Sequence, residues 1–118
     1  MSYVDGYVLA VKTAKKEDYR QMAEAVAVIF KENGALAVVE TWGEDVPEGK
    51  LTSFPMAVKC EADETVVFSW VVWPTKQVRD DGMKASMADP RIANWDISTM
   101  PFDGKRMIFG GFETLVEV

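Results

Sequence analysis

Residues 65–74 read TVVFSWVVWP, a run of β-branched and aromatic side chains closed by Pro74. This composition makes it the strongest strand signal in the chain. Its alternation decides the fold. One side presents Val66, Phe68, Trp70 and Val72, and the other presents Val67, Val71 and Trp73. A strand with one face in water would place polar residues at every second position. Here both faces are apolar, so each needs a cover.

The preceding segments supply part of that cover. Tyr3 to Lys12 reads as a first strand, in which Tyr7, Leu9 and Val11 oppose Val8 and Ala10. Thr13 is the expected cap of a helix whose apolar stripe is Tyr19, Met22, Ala23, Val26, Ile29 and Phe30, at the i, i+3, i+4, i+7 spacing of a helix face. Gly34 suits the left-handed position just past its end. ALAVVETW follows as a second strand. From Gly43 to Asp63 the pattern is irregular and turn-rich, so this stretch is expected to be the most mobile between the first and last strands. Within it SFPMAVKC reads as a short ordered piece, helix or strand, with Ser53 as a cap favouring a short helix.

Downstream of TVVFSWVVWP, Thr75 is the expected cap of a helix containing Val78, Met83 and Met87, which Gly82 weakens by about 1 kcal/mol relative to Ala. Asp89 and Pro90 restart a short helical turn. Lys105 to Val118 reads as the fourth strand, launched by Asp103-Gly104. The pair Gly110-Gly111 inside it indicates a bulge, a close approach of backbone or a bulky ring, or a ligand meeting bare backbone. The order strand, helix, strand, strand, helix, strand is met by an α+β, ferredoxin-like βαββαβ protomer with a four-stranded antiparallel sheet. The 118 residues are expected to form one domain, residues 1–118. Two helices can cover one face only. A second copy of the same sheet is the simplest cover for the other, which predicts a homodimer joined sheet to sheet as a dimeric α+β barrel.

Composition narrows the function. The net charge is -6, and seven acids from Glu40 to Glu64 face only Lys50 and Lys59, which disfavours a nucleic-acid partner. No apolar run approaches the ~20 residues that span a bilayer, and the N-terminal stretch has no signal-peptide pattern, so no membrane partner is expected and the cytoplasm is the expected location. The single Cys60 fits a reducing compartment and has no histidine to activate it. With no histidine anywhere, a Ser-His-Asp triad, histidine-ligated haem and a typical catalytic zinc site are excluded. No phosphate-loop, dinucleotide or calcium-loop pattern is present, and no cofactor or metal is expected.

The residues that suggest a site are aromatic and few. Trp42, Trp70 and Trp73 are expected near one another on the sheet, and Asp5, Glu40, Ser69 and Arg106 are the polar groups available to them. A pocket built from Asp5, Tyr7, Glu40, Trp42, Trp70 and Arg106 would suit a small, partly apolar molecule. The same aromatics also suit a dimer interface. Arg106, read as a strand residue, either turns inward to a carboxylate such as Glu40 or Asp5 or to an anion, or faces solvent.

The blocks YVDGYVLAV, VVFSWVVWP, MADPR and MPFDGKRMIFGGFE resemble those of a bacterial domain-of-unknown-function family, the YbaA-like family, over nearly the whole chain. The resemblance implies a small bacterial cytoplasmic protein of the dimeric α+β barrel superfamily with no assigned activity. That superfamily includes cofactor-free monooxygenases, haem-degrading enzymes and stress-response proteins, and the lack of histidine departs from its haem-using members. No family role transfers to a residue of this chain. Two readings of function stand: a dimeric barrel binding a small, partly apolar molecule between sheet and helices, with catalysis unassigned, or a non-catalytic interaction or stress-related regulatory protein that uses the barrel only to dimerise.

Overall fold

Apolar strands of period two and two amphipathic helices assemble in the expected order. A computed structural model describes all residues, 1–118, as β1 (Tyr3–Lys12), α1 (Lys16–Glu32), β2 (Ala37–Trp42), α2 (Phe54–Ala57), β3 (Glu64–Trp73), α3 (Lys76–Ala88), α4 (Pro90–Ala93) and β4 (Ile108–Glu113). The strands form one antiparallel sheet in the order β2-β3-β1-β4. No helix is long and apolar enough to cross a membrane.

Topology explains why both long helices share a face. β1 and β2 are parallel with β3 between them, and β3 and β4 are parallel with β1 between them. Each pair is joined through a helix. Such crossovers are overwhelmingly right-handed, which sends α1 and α3 to the same side. There Tyr19 and Ala23 of α1 pack with Leu9, Val11 and Val67, while Phe30 of α1 and Val78 and Met83 of α3 pack with Val71 and Trp73. The expected stripe of α1 is the buried stripe.

The helix ends follow their chemistry. Gly34 adopts φ 110°, where a side chain would be strained. Ser53, Thr75 and Asp89 accept backbone N–H bonds from Met56, Val78 and Arg91, capping α2, α3 and α4 as expected. Thr13 does not cap α1. It opens a 3-10 turn over Thr13–Lys15, and its hydroxyl bonds that of Thr65 at 2.7 Å instead. Gly82 is required by packing, since a Cβ there would collide with the Asn33 carbonyl and with the Trp73 ring at 2.5 Å.

The fourth strand is shorter than its sequence suggests. Phe102 bridges to Val11, residues 103–107 then leave the sheet, and β4 resumes opposite Val8 at Ile108. The excursion contains a 3-10 turn that Asp103 caps, accepting from the Lys105 N–H at 3.0 Å. The register through Gly110 and Gly111 is continuous, so the interruption falls before the glycines and not at them.

The second face of the sheet is largely open. Residues 54–60 cover one end of it, with Val58 packed on Val8, Ala10 and Val66. At its margin Phe68, whose ring centre is 5.8 Å from that of Phe54, is still 44% exposed, and further along Ile108 is 46% and Phe112 62% exposed.

Candidate functional site

Directly opposed residues lie on one face of a sheet, and across the middle of the helix-covered face this row is Phe109, Tyr7, Ser69 and Glu40. Tyr7 stacks on Phe109 with centroids 6.3 Å apart. Its pKa is pushed up to about 12, chiefly by burial and then by the Asp5 carboxylate. At the far end of the row Tyr19 of α1 donates its hydroxyl to Glu40 Oε1 at 2.6 Å. Burial, with Glu40 as the second cause, raises the Tyr19 pKa and keeps the phenol protonated.

Glu40 is the chemically distinctive member. As a residue on an edge strand it retains open surface, yet withdrawal from water raises its pKa, against the opposing pull of the Tyr19 and Ser69 hydroxyls. No ion pair in the protein includes it. It lines a groove of about 370 Å³ between α1 and β2, whose walls include Tyr19, Arg20 and Ala23 on one side and Val38 and Trp42 on the other. At the groove mouth the Lys16 ammonium lies 5.2 Å from the centre of a Trp42 ring. The arrangement offers an aromatic wall, an apolar floor and one hydrogen-bond acceptor without a cation.

A second polar cluster lies nearer the start of β1. Asp5 is only 3% exposed and is satisfied from two sides. Arg79 of α3 reaches Oδ1 at 2.7 Å and donates from Nε to both oxygens, and the Trp73 indole N–H donates to Oδ2 at 2.9 Å. The guanidinium also lies 5.1 Å from the Tyr3 ring centre. A Cβ at Gly111 would collide with the Tyr3 hydroxyl and come within 2.8 Å of Arg79 Nη2. On the opposite face the Phe112 ring lies 3.6 Å from the Cβ positions of Gly6 and Gly110. Close packing thus accounts for Gly111, whereas a Cβ at Gly110 would meet the Phe112 ring at ordinary contact distance.

Of the residues expected to form one pocket, Asp5, Tyr7, Glu40 and Trp42 share the covered face. Trp70 stands opposite Gly6 and Val39 on the other face. Arg106 is in the 3-10 turn before β4, with both arms on Glu64 at 2.7 Å and a further bond to the Lys59 carbonyl at 2.9 Å. It approaches neither Glu40 nor Asp5. The three tryptophans are also apart: Trp73 is buried beneath α1 and α3, Trp42 edges the groove, and Trp70 is on the open face. Tyr19 and Arg79 are the members that sequence reasoning missed. Tyr19 was legible only as a stripe residue, and nothing along the chain marks Arg79 as the partner of a residue 74 positions away. No group of three or more Cys, Asp or Glu side chains converges closely enough to hold a metal ion.

These features define a small α+β protein with a four-stranded antiparallel sheet and polar groups concentrated beneath its helices. Residues 2–104 match the profile of a protein family of unknown function, DUF1428, and the chain belongs to that family. It is 56% identical over 117 residues to the uncharacterized protein YbaA of Escherichia coli strain K12, with 99% of each chain covered, and equally to YbaA of Shigella flexneri. The solved structure of Rv0793 from Mycobacterium tuberculosis superposes over 99% of this chain and 98% of its own, with a TM-score of 0.53 at 12% identity. That likeness is one of fold.

Proposed function

We propose that the protein works as a homodimer, joined through the open sheet faces, in which each protomer binds a small, partly apolar molecule in the groove between α1 and β2. The observation that carries the binding reading is Glu40, an acceptor held by Tyr19 and engaged in no ion pair, in a groove walled by Trp42. A few oriented polar groups within an apolar recess are what small-molecule sites use to fix a ligand. Dimerisation is supported by Phe68, Ile108 and Phe112, large apolar side chains exposed together on one sheet face, the kind of patch that marks an interaction surface. The lone thiol of Cys60 supports the cytoplasm as its compartment.

Binding is tested by backbone amide NMR during titration with benzyl alcohol, benzoate and benzylamine. Shifts confined to Val38–Trp42 and the facing residues of α1 are expected for at least one of them. Silence of the groove toward all three at millimolar concentration would leave the dimerising interaction protein as the better reading.

A further inference from the structure

The reading of the groove as a small-molecule site can be carried to the charge of its ligand. We infer that the groove receives an organic cation, a protonated amine on an apolar body, with Glu40 as its counter-ion and Trp42 as its aromatic wall. This rests on the proposed binding site and adds a chemical class to it.

Charge bookkeeping on this side of the molecule leads there. The other carboxylates at the groove rim are ion-paired within the protein: Glu17 and Glu24 share Arg20 at 2.6 and 2.7 Å. The buried Asp5 has Arg79, and Glu64, 1% exposed in its side chain, has Arg106. Glu40, which keeps open surface at the edge of the groove, accepts from the Tyr19 hydroxyl, stands directly across the strand pair from Ser69, and has no cation. A carboxylate in a partly desolvated recess gains most from an added positive charge, because the field between the two is weakly screened there. It repels an anion for the same reason.

Trp42 supplies the second half of the site. An indole face attracts cations through its quadrupole, and the Lys16 ammonium already occupies that position. Lys16 is exposed on a flexible stem at the first residue of α1, so it can swing aside when another cation enters. Ala23, Ala27 and Val38 then leave room and apolar surface for the body of the ligand. A neutral alcohol could donate to Glu40, but it would gain neither the ion pair nor the ring interaction.

The experiment compares benzylamine, protonated at pH 7, with benzyl alcohol and benzoate of nearly the same shape, on wild type, Glu40→Gln, Trp42→Leu and Lys16→Met. Wild type should bind the amine at least tenfold more tightly than the alcohol and benzoate weakest. Glu40→Gln should collapse the preference to less than threefold while alcohol binding persists, which also shows that this variant is folded. Trp42→Leu should weaken the amine more than the alcohol, and Lys16→Met should tighten the amine severalfold by vacating the ring. Equal or tighter binding of alcohol or benzoate by wild type, or an unchanged preference in Glu40→Gln, overturns the cation assignment and leaves the groove as a binding site. Failure of all three compounds to bind overturns the groove itself, and the inference with it.

Discussion

The two faces of the sheet are made from the same strands at the same period, yet they meet different fates. Beneath the helices Leu9, Val11, Val67, Val71 and Trp73 are buried, and among them stand Asp5, Tyr7, Ser69 and Glu40. The other face shows Val4, Phe68, Trp70, Val72, Ile108 and Phe112, mainly apolar through its middle with Thr41 on the edge strand beside Phe68, and with charge only at its end in Lys12 and Glu64. Burial is therefore no guide to polarity here. The buried face carries the hydrogen-bonding chemistry and the exposed face carries grease. A face rich in oriented polar groups suits ligand recognition, whereas a flat apolar one suits association with its own copy, where hydrophobic area dominates.

Substitutions that respect or violate this division should give effects of different size and kind. The largest is expected on the covered face. Arg79→Met leaves the Asp5 carboxylate buried with the Trp73 N–H alone, and should cost about 3–4 kcal/mol in chemical denaturation. Adding Asp5→Asn should restore at least half of that loss. A loss below about 1 kcal/mol in the single variant would show that this ion pair does not tie α3 to the sheet.

Next comes the open face. Phe112→Asp should raise the dimer dissociation constant at least ~100-fold, about 2.7 kcal/mol, with little change in protomer structure by circular dichroism. Sedimentation of the wild type as a single species of one-chain mass at micromolar concentration would break the comparison at its root.

The end of the sheet should respond to acid. Arg106 first, opposed by burial, holds the Glu64 carboxyl down to about 2, below the ordinary glutamate value of ~4.3. A group depressed on folding stabilises the native state above its unfolded pKa. That contribution should fade as pH falls from about 4.3 toward 2. Arg106→Gln should cost about 2 kcal/mol at neutral pH and remove this part of the acid response, as read by melting temperature against pH. Parallel pH profiles for the two proteins would refute it.

The smallest effect sharpens the division most. Trp70→Phe trims an open-face ring that stacks near Phe68, with centroids 5.4 Å apart. It should weaken the dimer by about 1 kcal/mol and leave binding in the groove unchanged, because the groove is on the other side of the sheet. Weaker binding of the groove probes in this variant would mean that the two faces are coupled.

The expectation of mobility from Gly43 to Asp63 becomes more specific in the same way. Val58 is completely buried against Val8, Ala10 and Val66, so slow amide exchange is expected near it and faster exchange from Gly43 to Leu51.

The sequence alone determined the elements and the apolar run of β3 on both sides of the strand. TVVFSWVVWP, the stripe from Tyr19 to Phe30, Gly34 and the caps Ser53, Thr75 and Asp89 are local signals, and each acts through dihedral preference, side-chain period or a hydrogen bond to a nearby N–H. What needed the tertiary structure was adjacency. Alternation shows that Tyr7 and Trp70 belong to some face, but only the register, Gly6 opposite Trp70 and Tyr7 opposite Ser69, sets them on opposite ones. Arg106 leaves the sheet because residues 103–107 loop out to reach Glu64, a partner that no local period could announce. Asp5 and Arg79, like Tyr19 and Glu40, meet because right-handed crossovers carry both helices over one face. Backbone chemistry acts over a few residues and is written along the chain. Side-chain pairing across tens of residues depends on where the packed elements bring the chain back, and that is decided only when the whole sheet has formed.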